Sequence, residues 1–401
     1  MYSTLHKLLK PTKSPLFPFI DGLRAISIIW IIAMHTLWMF GYFLDKQAFI
    51  EFSTRAELGP FFQGHLAVDI FFVMSGFLIG YYLFSEYQQN QTLQLQRFYL
   101  RRALRLLPAY FAVMLLVATA APINLHNIWA NIFYINNFLP VTEQFMPWTW
   151  SLAIEEQFYI LLPCLILVIG RSKHTLLILT LLFLLSFIIR FAISYYHQLQ
   201  LPLALHEVID QQQMFHYFDV IYDKSYSRYG GLIVGVIVAY LSVYTQAVTF
   251  LKTHHIIRLG LWWLSLLLLA LYISTPINEI KADVLESAFI IALVRNIFSL
   301  AIGYSILYSL SVERQSWLIN CLSSRFWHPF AQLSYSAYLL HLMVISFCAQ
   351  YLYPEMHLSF IALLGLILLM LVVTFCTALL IYLGIEKPMI ELRNRRFSRS
   401  S

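Results

Sequence analysis

A small set of ionisable side chains interrupts otherwise apolar runs, and these residues could do chemistry. They are Arg24, His35, Asp69, Glu155, Glu156, Arg190, Arg228, Arg295 and His341. An ionisable side chain near the centre of a spanning helix costs at least about 2.5 kcal/mol, so it usually faces a cavity or a partner. A histidine beside a carboxylate could act as a general base, because the carboxylate orients the ring and raises its basicity.

Arg24 and His35 are predicted to share one helix face. Eleven positions correspond to about 1100° of rotation, close to three full turns, and to a rise of about 16 Å. We expect Arg24 near the cytoplasmic end and His35 in the outer half, at a depth similar to Asp69, Glu155 and His341.

The same residues also have a structural interpretation. Arg24 would extend to the inner interface and His35 would pack in the core. Asp69 would cap a helix or pair with Arg228. The residues alone leave both interpretations open.

A second cluster of basic residues lies between 96 and 108. Arg97, Arg101 and Arg105 follow one another at i,i+4 spacing, and Arg102 and Arg105 are three apart, so several guanidinium groups share one side of a helix. Such a patch suits a polyanion, since arginine binds phosphate bidentately. The alternative is ordinary cytoplasmic charge or a site for anionic membrane lipids.

The elements that position these residues are membrane helices. The 401-residue chain is 60% hydrophobic and 11% charged, against about 25% charged residues in soluble proteins. We predict an all-α polytopic transmembrane bundle of about ten helices. They lie at about 18–43, 66–86, 103–121, 147–170, 174–197, 226–246, 257–275, 285–310, 328–352 and 358–384.

The distribution of basic residues predicts sidedness. With a cytoplasmic N-terminus, only Lys46, Arg55, Lys224 and Lys281 fall in outside segments, and most of the 26 Lys and Arg residues fall inside. Both termini are then cytoplasmic, with basic tails around one membrane domain spanning 1–401. The net charge of +6 sits in short loops, so nucleic acid is not an expected partner.

Several segments, in order along the chain, resemble the acyltransferase-3 family of membrane acyltransferases. They are Phe19–Ala25 with His35, His65–Ile79, Arg97–Pro108, Trp150–Tyr159, Tyr226–Gly231 with Gly235, Leu333–His341 and Glu386–Pro388. The resemblance covers about 17–390. Two positions depart from the family pattern: His65 replaces a usual glycine, and Tyr229 follows Arg228 in place of a small or acidic residue.

The resemblance implies an O-acyltransferase of a bacterial inner membrane. Such enzymes move an acyl group, usually acetyl, from cytoplasmic acyl-CoA to a hydroxyl of a glycan or lipid-linked sugar, without a metal. Lipopolysaccharide, peptidoglycan and exopolysaccharide are among the acceptors. The extra C-terminal hydrolase-like domain of some members is not expected in this chain.

The resemblance, together with the residues above, predicts a role for each site residue. His35 would be the general base or a transient acyl carrier, oriented by Glu155 or Asp69. Arg228 or a nearby hydroxyl would stabilise the oxyanion. The expected residues are His35, Glu155 and Asp69 for catalysis, Arg24, Arg101, Arg102 and Arg105 for acetyl-CoA, and Arg228, Glu156, Ser75, Tyr338 and His341 for the substrate.

Two other classes of protein remain as alternatives. A transporter or flippase also carries intramembrane Arg, Asp and Glu, but the sequence shows no inverted repeat and no pair of helices broken by Gly or Pro. A membrane scaffold or sensor would gain nothing from intramembrane histidine and carboxylates. Label transfer from acyl-CoA distinguishes the enzyme from both.

Overall fold

The computed structural model describes residues 17–41, 43–44, 48, 51–52, 55, 57–121, 123–170, 172–201, 211–274, 282–312, 316–352 and 359–397. Within these ranges the chain is helical and contains no strand. The long helices are α1 (Pro18–Gly41), α2 (Ala67–Asn90), α3 (Leu95–Ala120), α4 (Trp150–Ile169), α5 (Thr175–Tyr196), α6 (Gly230–Tyr244), α7 (His255–Ser274), α8 (Val284–Ser311), α9 (His328–Leu352), α10 (Phe360–Ile381) and α11 (Lys387–Phe397).

Nine helical stretches of the described chain are long and apolar enough to cross a bilayer. A tenth results if α6 and the following Ala247–Thr253 helix, which bend by 78° at a short break, form one span. The prediction of an all-α transmembrane bundle of about ten helices is therefore confirmed. The placement of both termini in the cytoplasm stays a prediction.

The helix ends differ from the predicted ones mainly at α3 and α6. Helix α3 begins at Leu95, so the basic cluster forms its first turns and not a separate segment. Its N-terminal turns carry the arginines, and we call this end of the bundle the arginine-rich end. Helix α6 begins at Gly230, after a single turn at Ser225–Arg228. That turn places Arg228 at the beginning of the span.

Helices α2 and α6 approach closely through glycines. A Cβ atom built on Gly76 would lie 2.0 Å from the Leu232 carbonyl oxygen, and one on Gly235 would lie 2.2 Å from the Val73 carbonyl oxygen. Only glycine allows two helix backbones to come this near, which is a common device in membrane helix packing. The crossing fixes Asp69 and Ser75 of α2 relative to the segment that carries Arg228.

Helix α1 lies between other helices of the bundle and carries both Arg24 and His35. It packs against α9, α2 and α10, and apolar residues such as Ile28, Ile32 and Leu37 are fully buried. Because α1 is continuous from Pro18 to Gly41, Arg24 and His35 share a face and are separated by about 16 Å along the helix axis.

Candidate active site

The His35 ring lies beside His341. The two ring centroids are 4.9 Å apart, with the planes tilted by 59°. His35 is partly exposed, whereas His341 is fully buried. Helices α1 and α9 thus bring two imidazoles together in the middle part of the bundle.

Hydrogen bonds assign the tautomer of each neutral ring. The Nδ1 atom of His35 is 2.9 Å from the Ile31 carbonyl oxygen, and the Nδ1 atom of His341 is 2.6 Å from the Tyr338 carbonyl oxygen. A carbonyl can only accept, so Nδ1 carries the proton in both rings and Nε2 carries the lone pair. The Nε2 atom of His35 is consequently available as a base.

Tyr338 connects His341 to the beginning of α4. Its hydroxyl lies 2.6 Å from the Ser151 hydroxyl and 2.6 Å from the Trp148 carbonyl oxygen. Its ring centroid is 5.4 Å from that of His341. The buried Tyr338 therefore holds α9 against α4 and supports one side of the histidine pair.

Asp69 does not orient His35, which corrects the prediction from sequence. Its Oδ2 atom is 2.5 Å from Nη1 of Arg295, and its Oδ1 atom is 3.5 Å from Nη2 of Arg228. The structural alternative, pairing with Arg228, is the one observed. Spacing along α2 placed Asp69 at a suitable depth but did not determine which helix it would face.

Glu155 also makes its hydrogen bonds to residues other than His35. Its two oxygens accept from the Ser75 hydroxyl at 3.0 Å and from the Tyr159 hydroxyl at 2.9 Å. Among the described residues, neither Glu155 nor Asp69 hydrogen-bonds His35, and His341 occupies the neighbouring position. The expected orientation of His35 by either carboxylate is thus wrong, while a catalytic role of Glu155 stays a prediction.

Arg102 contacts Tyr159 and Glu156 of α4, and it does not line the cleft with the other arginines predicted to bind the donor. Its guanidinium carbon is 3.3 Å from the centroid of the Tyr159 ring, and its Nε atom is 3.9 Å from Glu156. Tyr159, which the sequence did not single out as a site residue, is the surface on which Arg102 rests. The position of Tyr159, nine residues after Trp150 in the α4 segment that resembles the family, was the available signal.

Three of the predicted donor-site arginines meet in one cleft at the arginine-rich end. Arg24, Arg101 and Arg105 line a cleft of about 640 Å³, together with Arg97. Acidic Asp21 and Glu86 also line it. Arg97 was part of the basic cluster but not of the predicted site, although its i,i+4 spacing to Arg101 pointed there. The cleft can bind a polyanion.

A buried polar network holds the segments at the opposite end. Lys224 donates to the Asn137 carbonyl at 2.7 Å and pairs with Asp223 at 3.0 Å, and Gln144 donates to Asp223 at 2.8 Å. Burial raises the pKa of Asp223 to about 6, against the opposing effects of Lys224 and Gln144. The network ties the 136–144 segment to the turn that precedes Arg228.

No group of three or more His, Cys, Asp or Glu side chains able to hold a metal occurs in the described part of the chain.

Comparison with known proteins places this arrangement in a family. The family model described as "Acyltransferase domain", that of the acyltransferase-3 family, matches residues 17–383. The chain belongs to this family, as its motifs predicted. No solved structure matched.

Three relatives illustrate the match. "Putative O-acetyltransferase SACOL0978" of Staphylococcus aureus is 37% identical over 175 residues, covering 39% of this chain and 26% of the relative. Peptidoglycan O-acetyltransferase OatA of Listeria monocytogenes is 34% identical over 170 residues, covering 38% and 24%. Nose resistant to fluoxetine protein 6 of Caenorhabditis elegans is 28% identical over 367 residues, covering 80% and 44%. The chain thus spans less than half the length of these relatives.

Proposed function

We propose that this protein transfers an acetyl group from acetyl-CoA to a hydroxyl of a cell-envelope glycan or lipid-linked sugar, and that it does so in a bacterial inner membrane. One observation carries the proposal. Helix α1 is continuous and carries both Arg24, which lines the arginine-rich cleft, and His35, about 16 Å further along its axis.

The cleft supports a nucleotide-linked donor. Arg24, Arg97, Arg101 and Arg105 all line it, and arginine pairs with phosphate oxygens through two parallel hydrogen bonds. The extended pantetheine arm of acetyl-CoA would then run along α1 toward His35. Entry of the donor from the cytoplasm follows from the predicted sidedness of the arginine-rich end.

The histidine pair supports the transfer step. The lone pair on Nε2 of His35 accepts the proton of the acceptor hydroxyl while its oxygen attacks the thioester carbonyl. The carbon–sulfur bond then breaks, the acetyl ester forms, and the thiolate of coenzyme A takes the proton from His35. The bond from Nδ1 to Ile31 holds the tautomer throughout.

Support from the relatives concerns the chemistry and not the acceptor. Two of them carry O-acetyltransferase in their names, and one of these names peptidoglycan. A glycan hydroxyl is accordingly the acceptor class that we propose here. The acceptor would reach His35 from the end opposite to the cleft, where the 136–144 segment and the 218–225 segment meet.

The test is label transfer by the purified protein in lipid nanodiscs. With acetyl-CoA labelled in the acetyl group and an envelope glycan fraction, we expect base-labile label in the glycan and stoichiometric free thiol. A His35→Ala sample prepared in parallel should give neither. Intact protein that releases no thiol and labels no acceptor, from any glycan fraction, would contradict the proposal and favour a transporter.

A further inference from the structure

Four charged side chains from different parts of the fold are buried together. Asp69 of α2, Arg190 of α5, Arg228 of the turn before α6 and Arg295 of α8 are all at least nine-tenths buried. Arginine stays protonated in proteins, so three cations face one carboxylate. Within the described residues this buried cluster carries an excess of two positive charges.

Arg190 and Arg295 have hydrogen-bond partners within the fold. Arg190 donates to the Ser227 carbonyl at 3.2 Å and to the Ile291 carbonyl at 2.9 Å. Arg295 donates to Asp69 at 2.5 Å. These contacts explain both side chains as structural supports that join α5 and α8 to α2 and to the turn before α6.

Arg228 differs from its neighbours. Its Nε, Nη1 and Nη2 atoms are buried and have no hydrogen-bond partner among the described residues. Its nearest carboxylate oxygen, on Asp69, lies 3.5 Å away, and the other oxygen of Asp69 is already bound to Arg295. A buried guanidinium that makes no hydrogen bond is costly unless a further anion completes it.

The aromatic rings around Arg228 do not remove this requirement. The Phe72, Trp150 and Tyr222 rings lie 5.7, 5.1 and 5.4 Å from its guanidinium carbon. Such contacts offset part of the charge, but a ring face leaves the N–H groups unpaired. The rings instead form an apolar surrounding, in which the guanidinium would bind an oxyanion strongly.

A series of side-chain contacts connects the Arg228 guanidinium to the histidine pair. Trp150 contacts Arg228, and the next residue, Ser151, hydrogen-bonds Tyr338. The Tyr338 ring contacts His341, which contacts His35. These contacts link the two positions through the beginning of α4 and through α9.

We propose that Arg228 binds an anionic group, a carboxylate or a phosphate, on the acceptor whose hydroxyl is acylated at His35. The substrate class is thus an acidic or phosphorylated sugar rather than a neutral one. The inference rests on the proposed function, because it names the acceptor of that same site. Arg295, which is hydrogen-bonded to Asp69, adds positive charge beside Arg228, and its guanidinium carbon lies 5.3 Å from the centroid of the Tyr222 ring.

The experiment compares three soluble acceptors that share ring hydroxyls: methyl glucoside, methyl glucuronide and glucose 1-phosphate. Acetyl transfer and thermal stabilisation are both measured with the purified protein in nanodiscs of uncharged lipid. We expect at least one anionic sugar to exceed the glucoside about tenfold in kcat/KM and to raise the melting midpoint. The glucuronide and the phosphate distinguish the two sources of negative charge.

The Arg228→Gln variant should bring the anionic-to-neutral ratio close to one and abolish stabilisation by the anionic sugar. Without sugar, its melting midpoint should equal or exceed that of the parent protein, because Asp69 keeps its hydrogen bond to Arg295 and a buried charge that makes no hydrogen bond is gone. Arg228→Lys retains the positive charge but loses the paired N–H donors of the guanidinium, so it should keep part of the preference for anionic sugars. Arg258→Gln, outside the cluster, should keep all of it.

The outcomes separate this inference from the proposed function. Transfer to all three sugars with equal efficiency, unchanged in Arg228→Gln, overturns the anionic acceptor and leaves the transferase standing. Stabilisation by an anionic sugar that depends on Arg228, without any acetyl transfer, supports the anion site and removes the transferase. Should Arg228→Gln fail to fold, the Arg228→Lys ratio decides, and a ratio equal to that of the parent counts against the inference.

Discussion

The rings of His35 and His341 contact each other at 4.9 Å between centroids, with their planes tilted by 59°, where α1 packs against α9. Each ring donates its Nδ1 proton to a carbonyl of its own helix. The pair differs in exposure, since His341 is fully buried and His35 is not. We infer that His35 accepts and releases the proton and that His341 positions the His35 ring.

The first prediction concerns His35. His35→Gln should lower acetyl transfer by about 10²- to 10⁴-fold, because the amide cannot accept the hydroxyl proton. The measurement is the initial rate of thiol release from acetyl-CoA with acceptor present. His254→Ala, at an exposed position in the loop before α7, is the control and should retain the parent rate. Unchanged transfer in His35→Gln would refute the assignment.

The second prediction concerns the cleft. Arg101→Gln combined with Arg105→Gln should raise KM for acetyl-CoA by about tenfold or more, since each charge-assisted hydrogen bond contributes roughly 1.5–3 kcal/mol. The value of kcat should change little, because both side chains belong to α3 and line the cleft at the arginine-rich end, not the His35 site. Arg258→Gln serves as the matched arginine control. An equal fall in kcat with constant KM would place these arginines outside the donor site.

The third prediction separates Arg102 from the other donor-site arginines. Arg102 rests on Tyr159 and lies 3.9 Å from Glu156, and it is not part of the cleft lining. Arg102→Gln should therefore raise KM for acetyl-CoA less than Arg105→Gln does, and it should lower thermal stability in detergent. Equal KM effects of the two single variants would show that both arginines hold the donor.

The fourth prediction concerns the glycine crossing of α2 and α6. Gly76→Ala should lower the melting midpoint clearly, by an amount corresponding to about 1–3 kcal/mol, because its Cβ would overlap the Leu232 carbonyl oxygen. Gly260→Ala in α7 is the control, since no atom lies within 4 Å of a Cβ there. That variant should be neutral or slightly stabilising. Equal midpoints for both variants would contradict the close crossing.

The fifth prediction is a pH dependence at Asp223. Burial raises its pKa from the ordinary 3.8 to about 6, so the folded state binds the proton more tightly than the unfolded chain does. The stability from this proton is full below about pH 4 and is lost as the pH rises through about 6, on the order of 3 kcal/mol.

Asp223→Asn mimics the protonated form and should remove that slope. The melting midpoint of the variant should exceed that of the parent by a small amount at pH 4.5 and by a larger amount at pH 7.5. Asp283→Asn, at the exposed cap of α8 where asparagine caps as well as aspartate, is the control. A difference that does not vary with pH would show that Asp223 is charged throughout.

The sequence alone determined the class of fold, because the bilayer sets both the length and the apolarity of a spanning helix. It also placed Arg24 and His35 on one face, since eleven residues along a single continuous helix leave no freedom in their relative position. The arginine cleft was foreseeable for the same reason: Arg97, Arg101 and Arg105 follow one another on α3 at helical spacing.

Contacts between helices were decided only by the tertiary structure. Depth in the bilayer can be read from position along a helix, but each residue rotates the helix by 100°, so the partner of a side chain depends on crossing angle and rotation. The glycine contact of α2 with α6 turns Asp69 toward Arg228 and Arg295, and the packing of α9 on α1 brings His341 to His35. Residue spacing along the chain does not encode these contacts between helices. They decide that the Asp69 carboxylate pairs with the two arginines and that the neighbour of His35 is the His341 ring.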